Sequence, residues 1–399
     1  VVLPMNPSYR GAEIESIVRH ARPKAALVDQ SEYEKQIARA IDDQVAFLSP
    51  DADLTSDVSV DELDRAEPDD PALLCYTSGT TGAPKGALLS HGNILAGVES
   101  VRIAWRWEPA DRLLLALPLF HVHGLGVGLH GTLLAGASAV VMPRFDSEAL
   151  LQAIDETMAT LFLGVPQMYS RLVASREVER MAKLRLCVSG SAPLSPDLFK
   201  AISELAKQVP LERYGMSETL MNVSNPYEGE RRAGTVGFPL PGVRVELTSE
   251  GEILLSGPNV FGGYFQNESA TSSAFDSNGR FKTGDIGEFD TDGYLKIVGR
   301  SKELIITGGF NVYPREVEDV LREHPAVLDV AVIGTPSEEW GEAVTAFVIA
   351  GEKVPDQALV EFAGARLVAY KVPKLVRFVE SIPRNALGKV ISEELRRIT

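Results

Sequence analysis

The hydrophobic positions in the first two-thirds of the chain alternate between helical and strand-like spacing. Ile14, Ile17 and Val18 recur at helical intervals, and the apolar run 25–28 follows them. The alternation continues with a helical stripe from Ile94 to Trp105, the run 113–117, a helix beginning at Asp146 or Ser147, the runs 160–163 and 184–189, and a helix beginning at Ser195–Pro196. Strands separated by helices of this length predict a parallel α/β architecture.

The pattern changes after about residue 234. Short apolar runs at 251–255 and 293–298 are separated by Gly, Asp-Gly and Asn-Gly, which is typical of antiparallel strands and turns. Helical stripes return after Arg300, where we expect helices at 313–324 and 357–367 and strands at 327–334 and 375–379. We predict a large α/β region with a β-rich part, followed by a smaller α+β region.

Composition narrows the functional class. The chain has 39 basic and 55 acidic side chains, a net charge of −16, which disfavours binding to nucleic acid or anionic membranes. Cys75 and Cys187 lie in apolar runs and are predicted to be buried, reduced thiols. The weakly polar stretch 124–142 is interrupted by His130, so we predict a buried helix and strand there and no membrane span. With no leader pattern at Val1, we expect a cytoplasmic protein, or one of an organelle matrix in a eukaryote.

The densest group of candidate functional residues lies between residues 76 and 86. The segment Tyr-Thr-Ser-Gly-Thr-Thr-Gly-Ala-Pro-Lys-Gly follows an apolar run. Glycines let backbone N–H groups approach a ligand, hydroxyls add donors and the lysine adds charge, so the segment predicts a phosphate-binding loop. Its glycine spacing excludes a Walker A loop. The predicted phosphate contacts are Thr77, Ser78, Gly79, Thr80, Thr81, Gly82 and Lys85.

The chain resembles the adenylate-forming enzymes, which include acyl-CoA synthetases, luciferases and peptide-synthetase adenylation domains. The loop at 76–86 is similar to the family's phosphate-binding signature, and similar segments follow in order at 117–121, 189–194, 213–219, 283–285, 299–302 and 383–389. The resemblance implies an acid–thiol ligase that uses ATP, Mg²⁺ and coenzyme A on a small carboxylic acid. It also implies an adenylation domain over residues 1–299 and a small mobile lid domain over residues 300–399.

The resemblance assigns catalytic and nucleotide-binding roles to single positions. Lys389 matches the lysine that bridges the α-phosphate and the substrate carboxylate, a task suited to a point charge on a flexible stem. Glu218 matches the Mg²⁺ carboxylate, with Ser217 near the phosphate. Asp285 matches the carboxylate that accepts hydrogen bonds from the ribose hydroxyls, and Arg300 matches a second ribose contact.

Further positions match the adenine site and the moving parts. Tyr214 resembles the ring that stacks on adenine, although a core tyrosine is an open alternative. Lys302 matches the hinge, and Gly308 and Gly309 match the lining of the pantetheine channel. The other predicted nucleotide contacts are Ser189, Gly190, Ser191, Ala192, Arg213, Gly215 and Met216.

Three segments, at 120–125, 214–222 and 229–237, are similar to the malonate–CoA ligase branch of the family. In that branch two arginines hold the far carboxylate of the acid, and Arg185 and Arg232 match them. His121 matches a position beside the acyl pocket, with a core histidine as the alternative. His123 is assigned a structural role.

The resemblance implies malonate as substrate, with methylmalonate as a second acid, and two alternatives remain open. One is a CoA ligase for a short-chain or aryl monocarboxylic acid. The other is a truncated, non-catalytic nucleotide-binding fragment, because family members begin roughly 100 residues before the position of Val1. The missing strands would leave apolar surface exposed.

Overall fold

The computed structural model describes residues 1–9, 11–29, 31–41, 45–50, 65–77, 85–385 and 388–398. In chain order the strands are β1 (Ala25–Leu27), β2 (Ala46–Leu48), β3 (Pro71–Thr77), β4 (Lys85–Ser90), β5 (Arg112–Leu115), β6 (Ser138–Val141), β7 (Leu161–Gly164), β8 (Leu186–Ser189), β9 (Leu211–Tyr214), β10 (Val223–Ser224), β11 (Phe238–Pro239), β12 (Arg244–Leu247), β13 (Glu252–Ser256), β14 (Gly263–Tyr264), β15 (Phe281–Phe289), β16 (Leu295–Arg300), β17 (Ile305–Thr307), β18 (Phe310–Val312), β19 (Val327–Ser337), β20 (Gly341–Ala350) and β21 (Leu375–Phe378).

The α-helices are α1 (Gly11–Ala21), α2 (Ser31–Ala40), α3 (His91–Ala104), α4 (His130–Leu134), α5 (Ser147–Thr157), α6 (Pro166–Val173), α7 (Pro196–Leu205), α8 (Glu268–Ala274), α9 (Pro314–Arg322), α10 (Asp356–Gly364) and α11 (Ser392–Arg396). A π-helix covers His123–Leu129, and 3₁₀ turns cover Val178–Lys183 and Ser301–Glu303. The predicted mixed α/β fold is confirmed.

The largest sheet has seven strands in the order β11-β10-β9-β8-β7-β5-β6. Strands β6, β5, β7, β8 and β9 run parallel, whereas β10 and β11 are antiparallel additions at one end. Helices α5 to α7 cover one face through residues such as Leu150 and Ile202. Val101 and Trp105 of α3 pack with Val127 of the π-helix on the other face. Because all parallel strands end at the same edge, the loops after β8 and β9 are brought together there.

Local sequence explains where the helices of this sheet begin. The Asp146 side chain accepts a hydrogen bond from the N–H of Ala149 and caps α5. Ser195 accepts from the N–H of Leu198, and Pro196 follows at the first helical position of α7. Both predicted helix starts are therefore confirmed.

The remaining strands form smaller sheets. Strands β12-β13-β15-β16 make an antiparallel sheet, and β14-β4-β3 make a second one, with Leu89, Ile253 and Phe261 in their shared core. The predicted change to antiparallel strands after residue 234 is confirmed. At the start of the chain, β1 and β2 form a parallel pair that α1 and α2 cover through Ile14 and Ile37.

The C-terminal part has its own sheet, in the order β18-β17-β20-β19, with β21 parallel to β20. Its main core includes Val317 of α9 and Leu359 of α10, and all members of that core lie between residues 305 and 376. The proposed division of the chain near residue 300 stays a prediction, and this separate core is consistent with it. Among the described residues, no helix is long and apolar enough to cross a membrane.

Candidate active site

The predicted phosphate loop is described only at its two ends. Ser78, Gly79, Thr80, Thr81 and Gly82 lie outside the described residues. Thr77 at the end of β3 pairs in register with Lys85 at the start of β4, and its hydroxyl donates to the Lys85 carbonyl oxygen at 3.3 Å. The hairpin β3–β4 thus fixes both ends of the loop.

Lys85 and Glu218 are joined through Tyr264. The Lys85 ammonium lies 5.1 Å from the centroid of the Tyr264 ring, and the Tyr264 hydroxyl donates to Glu218 Oε1 at 3.0 Å. Glu218 is 6% exposed, and its burial raises the pKa of the carboxyl group. Ser217 precedes it and is partly buried. The site therefore holds one buried carboxyl group that is linked to Lys85 through Tyr264.

Tyr214, Asp285 and Arg300 form a second polar group. The Tyr214 hydroxyl donates to Asp285 Oδ2 at 2.5 Å, and Arg300 Nε lies 2.8 Å from Asp285 Oδ1. Asp285 and Arg300 face each other across β15 and β16. The pKa of Arg300 is raised, chiefly by Asp285, while burial and Asp285 together raise the pKa of Tyr214. Asp285, Arg300 and the Tyr214 hydroxyl therefore form one connected group, and their contacts with the nucleotide stay predictions.

Lys389 reaches this group from the far end of the chain. Its ammonium lies 3.4 Å from Glu303 Oε1, and burial followed by the charge of Arg300 lowers its pKa. A Cβ built on the preceding Gly388 would lie 3.9 Å from Gln167 Oε1 of α6, so the lysine segment lies against the large sheet's helices. Lys389 thus lies near Arg300 and Asp285, and its catalytic role stays a prediction.

The turn from Ser189 to Ala192 lies directly over Arg213. A Cβ built on Gly190 would be 2.4 Å from Arg213 Cζ, which explains the glycine at this position. Ser191 adopts a positive φ of 70°. In the next loop, a Cβ on Gly215 would lie 2.1 Å from the Leu220 carbonyl oxygen. The adjacent Met216 Sδ lies 3.9 Å from the Tyr214 hydroxyl. Close packing therefore fixes both loops at the carboxyl edge of the sheet.

His121 and His123 lie at the start of the π-helix, a conformation that often marks functional sites. Its close packing depends on glycine, since a Cβ on Gly124 would lie 2.4 Å from the Pro118 carbonyl oxygen. Burial lowers the pKa of His121 to about 4. His123 is 2% exposed, and its Nδ1 lies 3.1 Å from the Ser191 hydroxyl. Burial also lowers the pKa of His123, so both rings are neutral imidazoles, and the His123 ring lies against the Ser189–Ala192 turn.

Arg185 is placed differently from the expectation. Its Nε and Nη2 donate to the two oxygens of the buried Asp111, and it also donates to the carbonyl oxygens of Trp105 and Arg106. Arg185 and Asp111 immediately precede β8 and β5, so they lie at the amino edge of the parallel strands. The nucleotide residues Ser189 and Tyr214 end β8 and β9 at the opposite edge. The structure does not bring Arg185 to the predicted site.

Arg232 also holds carboxylates of this chain. Its guanidinium donates to Asp290, Asp292 and Glu230 and lies 4.3 Å from the centroid of the Tyr294 ring. Arg185 instead stacks over Tyr227 at 5.5 Å. The two arginines have different partners, so the structure does not show them paired around one carboxylate site.

The predicted hinge and channel residues lie between β16 and β18. Lys302 is exposed in the 3₁₀ turn after Arg300, and Gly308 and Gly309 form the exposed turn between β17 and β18. Both glycines have positive φ, of 56° and 81°, and the Gly308 N–H donates to the Trp340 carbonyl oxygen at 2.8 Å. Their roles stay predictions.

Sequence reasoning missed three residues of the site. Tyr264 binds Glu218, Glu303 binds Lys389, and His123 lies against the Ser191 turn. Glu303 follows the predicted hinge by one position, so its closeness to Lys302 was a usable signal. Tyr264 carried no motif signal.

Glu218 is the carboxylate predicted to bind Mg²⁺. In the described parts of the chain, no three His, Cys, Asp or Glu side chains converge on a metal position. Mg²⁺ usually keeps several waters and takes only one or two protein carboxylates together with phosphate oxygens. Glu218, with one oxygen held by Tyr264, fits that role.

Comparison with known proteins places the chain among AMP-binding enzymes. The family model for the AMP-binding enzyme matches residues 1–265, and the model for the C-terminal domain of AMP-binding enzymes matches residues 316–389. The malonate–CoA ligase of Arabidopsis thaliana is 36% identical to the chain over 447 aligned positions, which cover 100% of this chain and 74% of that protein.

Two solved structures extend the comparison. ATP-bound MatB from Rhodopseudomonas palustris superposes with a TM-score of 0.91 at 39% identity, covering 100% of this chain and 83% of that one. A malonyl-CoA ligase with methylmalonyl-CoA and AMP bound gives a TM-score of 0.68 at 36% identity, covering 96% and 85%. The fold is shared with both.

Proposed function

This chain belongs to the family of AMP-binding enzymes and is an AMP-forming acid–CoA ligase, and on that premise we propose that its acid is malonate. Methylmalonate is the second acid that we expect it to accept. Both assignments are supported by the similarity, over the whole chain, to a malonate–CoA ligase and to a ligase that binds methylmalonyl-CoA. That similarity is the observation that carries the choice of acid.

In the first half-reaction a carboxylate oxygen of malonate attacks the α-phosphorus of ATP. The bond from the α-phosphorus to the bridging oxygen breaks, and pyrophosphate leaves. We propose that Lys389 binds both the attacking carboxylate and the α-phosphate, because its ammonium reaches the group around Asp285 and Arg300. Asp285 and Arg300 orient the ribose. The positive charge of Lys85 stabilises the negative charge on the leaving pyrophosphate.

In the second half-reaction the thiol of coenzyme A attacks the acyl carbon of malonyl-adenylate. The thiol loses its proton, AMP leaves, and malonyl-CoA is formed. We propose that residues 300–399 then rotate about Lys302, so that Gly308 and Gly309 replace Lys389 at the site. The higher TM-score to the ATP-bound ligase than to the CoA-product complex supports an arrangement here that suits adenylation.

Mg²⁺ is the metal expected for this chemistry, and Glu218 is the residue that we propose to hold it. The ion would neutralise charge on the phosphates of ATP. The chain's own contribution is the Tyr264 hydroxyl, which fixes one oxygen of Glu218 and leaves the other for the ion.

The test is acid-dependent release of pyrophosphate with ATP, Mg²⁺ and coenzyme A. Malonate and methylmalonate are assayed beside acetate, butyrate and benzoate on protein whose folding has been checked by circular dichroism. We expect release with the two dicarboxylic acids and malonyl-CoA as the product by mass spectrometry. Release only with a monocarboxylic acid would overturn malonate as the substrate. If none of the acids supports pyrophosphate release, the result would favour a non-catalytic nucleotide-binding fragment.

A further inference from the structure

The peptide bond that leads into Lys389 is held on both sides by side chains of its own segment. Its carbonyl oxygen, on Gly388, accepts a hydrogen bond from Arg384 Nη1 at 2.9 Å, and its N–H, on Lys389, donates to Asn385 Oδ1 at 3.0 Å. Gly388 has a positive φ of 79°, which favours glycine at this position. Because a peptide group is planar, these two hydrogen bonds fix the direction in which the Lys389 side chain leaves the backbone.

The segment around Lys389 has little support of its own. Residues 383–385 and 388–391 run antiparallel and pair at an isolated bridge between Arg384 and Val390, with a few backbone hydrogen bonds beside it. A two-stranded ribbon is marginally stable at best in water. We therefore expect the position of Lys389 to depend on an anchor outside the ribbon.

Arg384 supplies that anchor by connecting the ribbon to β19. Its Nη2 donates to both oxygens of Asp329, at 2.9 and 2.8 Å. Strand β19 pairs with β20 without interruption from residue 329 to residue 337. Asp329 shares a strand face with Ala331 and Ile333, which are buried in the smaller of the two C-terminal cores. One guanidinium thus ties the Gly388 carbonyl oxygen to a well-paired strand.

The ammonium of Lys389 is held separately from its backbone. It lies 3.4 Å from Glu303 Oε1, and the nearby charge of Arg300 also acts on it. A lysine stem has many rotamers, so a fixed starting point reduces the number of positions that the ammonium can reach. The hydrogen bonds of Arg384 go to Gly388 and Asp329, and its influence on the ammonium therefore acts through the backbone.

We propose that Arg384, anchored by Asp329, is a positioning residue for Lys389 and is required for adenylation but not for the attack of the thiol. The inference rests on the proposed function, in which Lys389 acts in the first half-reaction and leaves the site before the second. Arg384 lies in the segment 383–389 that the sequence singled out, where only Lys389 received a role.

The test measures the two half-reactions separately in Arg384→Gln, after circular dichroism has shown that the variant folds. With malonate, we expect kcat for the exchange of pyrophosphate into ATP to fall about 10- to 100-fold, because a small displacement of a catalytic group slows the reaction. The KM for ATP should change little. Thiolation of synthetic malonyl-adenylate should be retained.

Arg322→Gln is the matched control. Arg322 of α9 also pairs with carboxylates, those of Glu318 and Asp319, and also donates to a backbone carbonyl oxygen, that of Val330. Its side chain is 28% exposed, against 26% for Arg384. Any loss of activity in this variant should affect both half-reactions equally.

A second measurement follows the segment without substrate. Hydrogen–deuterium exchange of the Lys389 amide should be faster in Arg384→Gln than in the wild type and in Arg322→Gln, because the peptide bond loses one of its two fixed partners. Unchanged exchange would overturn the inference, whichever acid the enzyme uses.

The outcomes separate this inference from the proposed function. Wild-type enzyme that ignores malonate but uses another acid would end the choice of malonate, and the half-reactions are then compared with that acid. An equal loss of both half-reactions in Arg384→Gln would assign Arg384 a structural role and overturn the inference. If Arg384→Gln fails to fold, Asp329→Asn decides, since it weakens the anchor and keeps the bond to Gly388. We expect a smaller loss there, confined to adenylation, and an unchanged adenylation rate would also overturn the inference.

Discussion

Arginines at the two edges of the seven-stranded sheet have opposite hydrogen-bonding states. At the amino edge, Arg185 gives its Nε and Nη2 to Asp111, which is 2% exposed and also accepts from Thr160. At the carboxyl edge, Arg213 keeps the same two atoms unpaired among the described residues. The amino edge thus pairs its arginine with a carboxylate of the chain, whereas the carboxyl edge leaves two guanidinium nitrogens without a protein partner among the described residues.

This difference shows that the role of an arginine follows from its partners and its place in the fold, and not from its residue type. Residue identity and neighbouring motifs led to Arg185 as a substrate contact, because it precedes the Ser189–Ala192 turn. Its position determines its role, since Arg185 immediately precedes β8 and therefore lies at the opposite end of that strand from Ser189. We therefore expect substitutions at the amino edge to affect stability and those at the carboxyl edge to affect catalysis.

The largest effect is expected for Lys389→Ala, which removes a catalytic group from the carboxyl edge. Malonate-dependent exchange of pyrophosphate into ATP should fall about 100- to 1,000-fold, because a positioned charge at the reacting phosphate is lost. Thiolation of synthetic malonyl-adenylate should be retained, since Lys389 acts only before AMP is released. An equal loss of both half-reactions would contradict this assignment.

A large effect on stability is expected for Asp111→Asn at the amino edge. Burial alone would raise the pKa of Asp111, but hydrogen bonds from Arg185 and Thr160 keep it below its usual range. The substitution leaves Arg185 without its counter-charge, and we expect the free energy of unfolding in urea to fall by about 3 kcal/mol. The KM for ATP should change little.

Arg232→Gln is the matched control for that experiment, because Arg232 also contacts carboxylates but on a more exposed surface. It should cost less than about 1 kcal/mol. If Asp111→Asn and Arg232→Gln lower the free energy of unfolding by similar amounts, the distinction between the buried Asp111–Arg185 pair and the more exposed Arg232 pairs would be wrong.

A smaller, pH-dependent effect is expected at Glu212, the neighbour of Arg213. Burial raises the pKa of this glutamate from 4.5 to about 7. The folded state therefore binds the proton more tightly than the unfolded state, and the free energy of unfolding falls as the pH rises between these values. Relative to wild type, Glu212→Gln should gain about 3 kcal/mol across this interval. Urea unfolding from pH 4.5 to 8 measures it, and a constant difference would contradict the buried charge.

The smallest effect is expected for Tyr264→Phe, which removes the hydroxyl that donates to Glu218. The ring contact with Lys85 is kept, so this variant isolates one hydrogen bond. We expect the Mg²⁺ concentration for half-maximal pyrophosphate release to rise about tenfold, because an outer hydrogen bond orients the metal carboxylate. No change in metal dependence would indicate that Glu218 is held in place by packing alone.

Much of the fold was predictable because local signals and tertiary structure agree. The caps at Asp146 and Ser195 begin α5 and α7 as expected. The glycine-rich stretch after residue 124 was expected as a helix, but its π-helical form was not. That form depends on close contacts, such as Gly128 against Leu115, between positions that are distant in sequence.

A residue of the candidate site could be predicted where a single sequence motif fixes both its identity and its place in the fold. Asp285 and Arg300 face each other because both motifs lie on neighbouring strands. Tyr264 could not be found in this way, since its partner Glu218 is 46 residues away. The phosphate loop from Ser78 to Gly82 lies outside the described residues, so its contacts stay predictions.

The sequence by itself determined the elements, the family resemblance and the types of residue at the site. These follow from spacing, capping and motif order, which are local properties of the chain. Only the tertiary structure decided which charges are paired. Arg185, Arg213 and Arg232 are chemically identical, and burial, strand direction and nearby carboxylates give each a different role. Such pairing depends on distances in space that the order of residues does not contain.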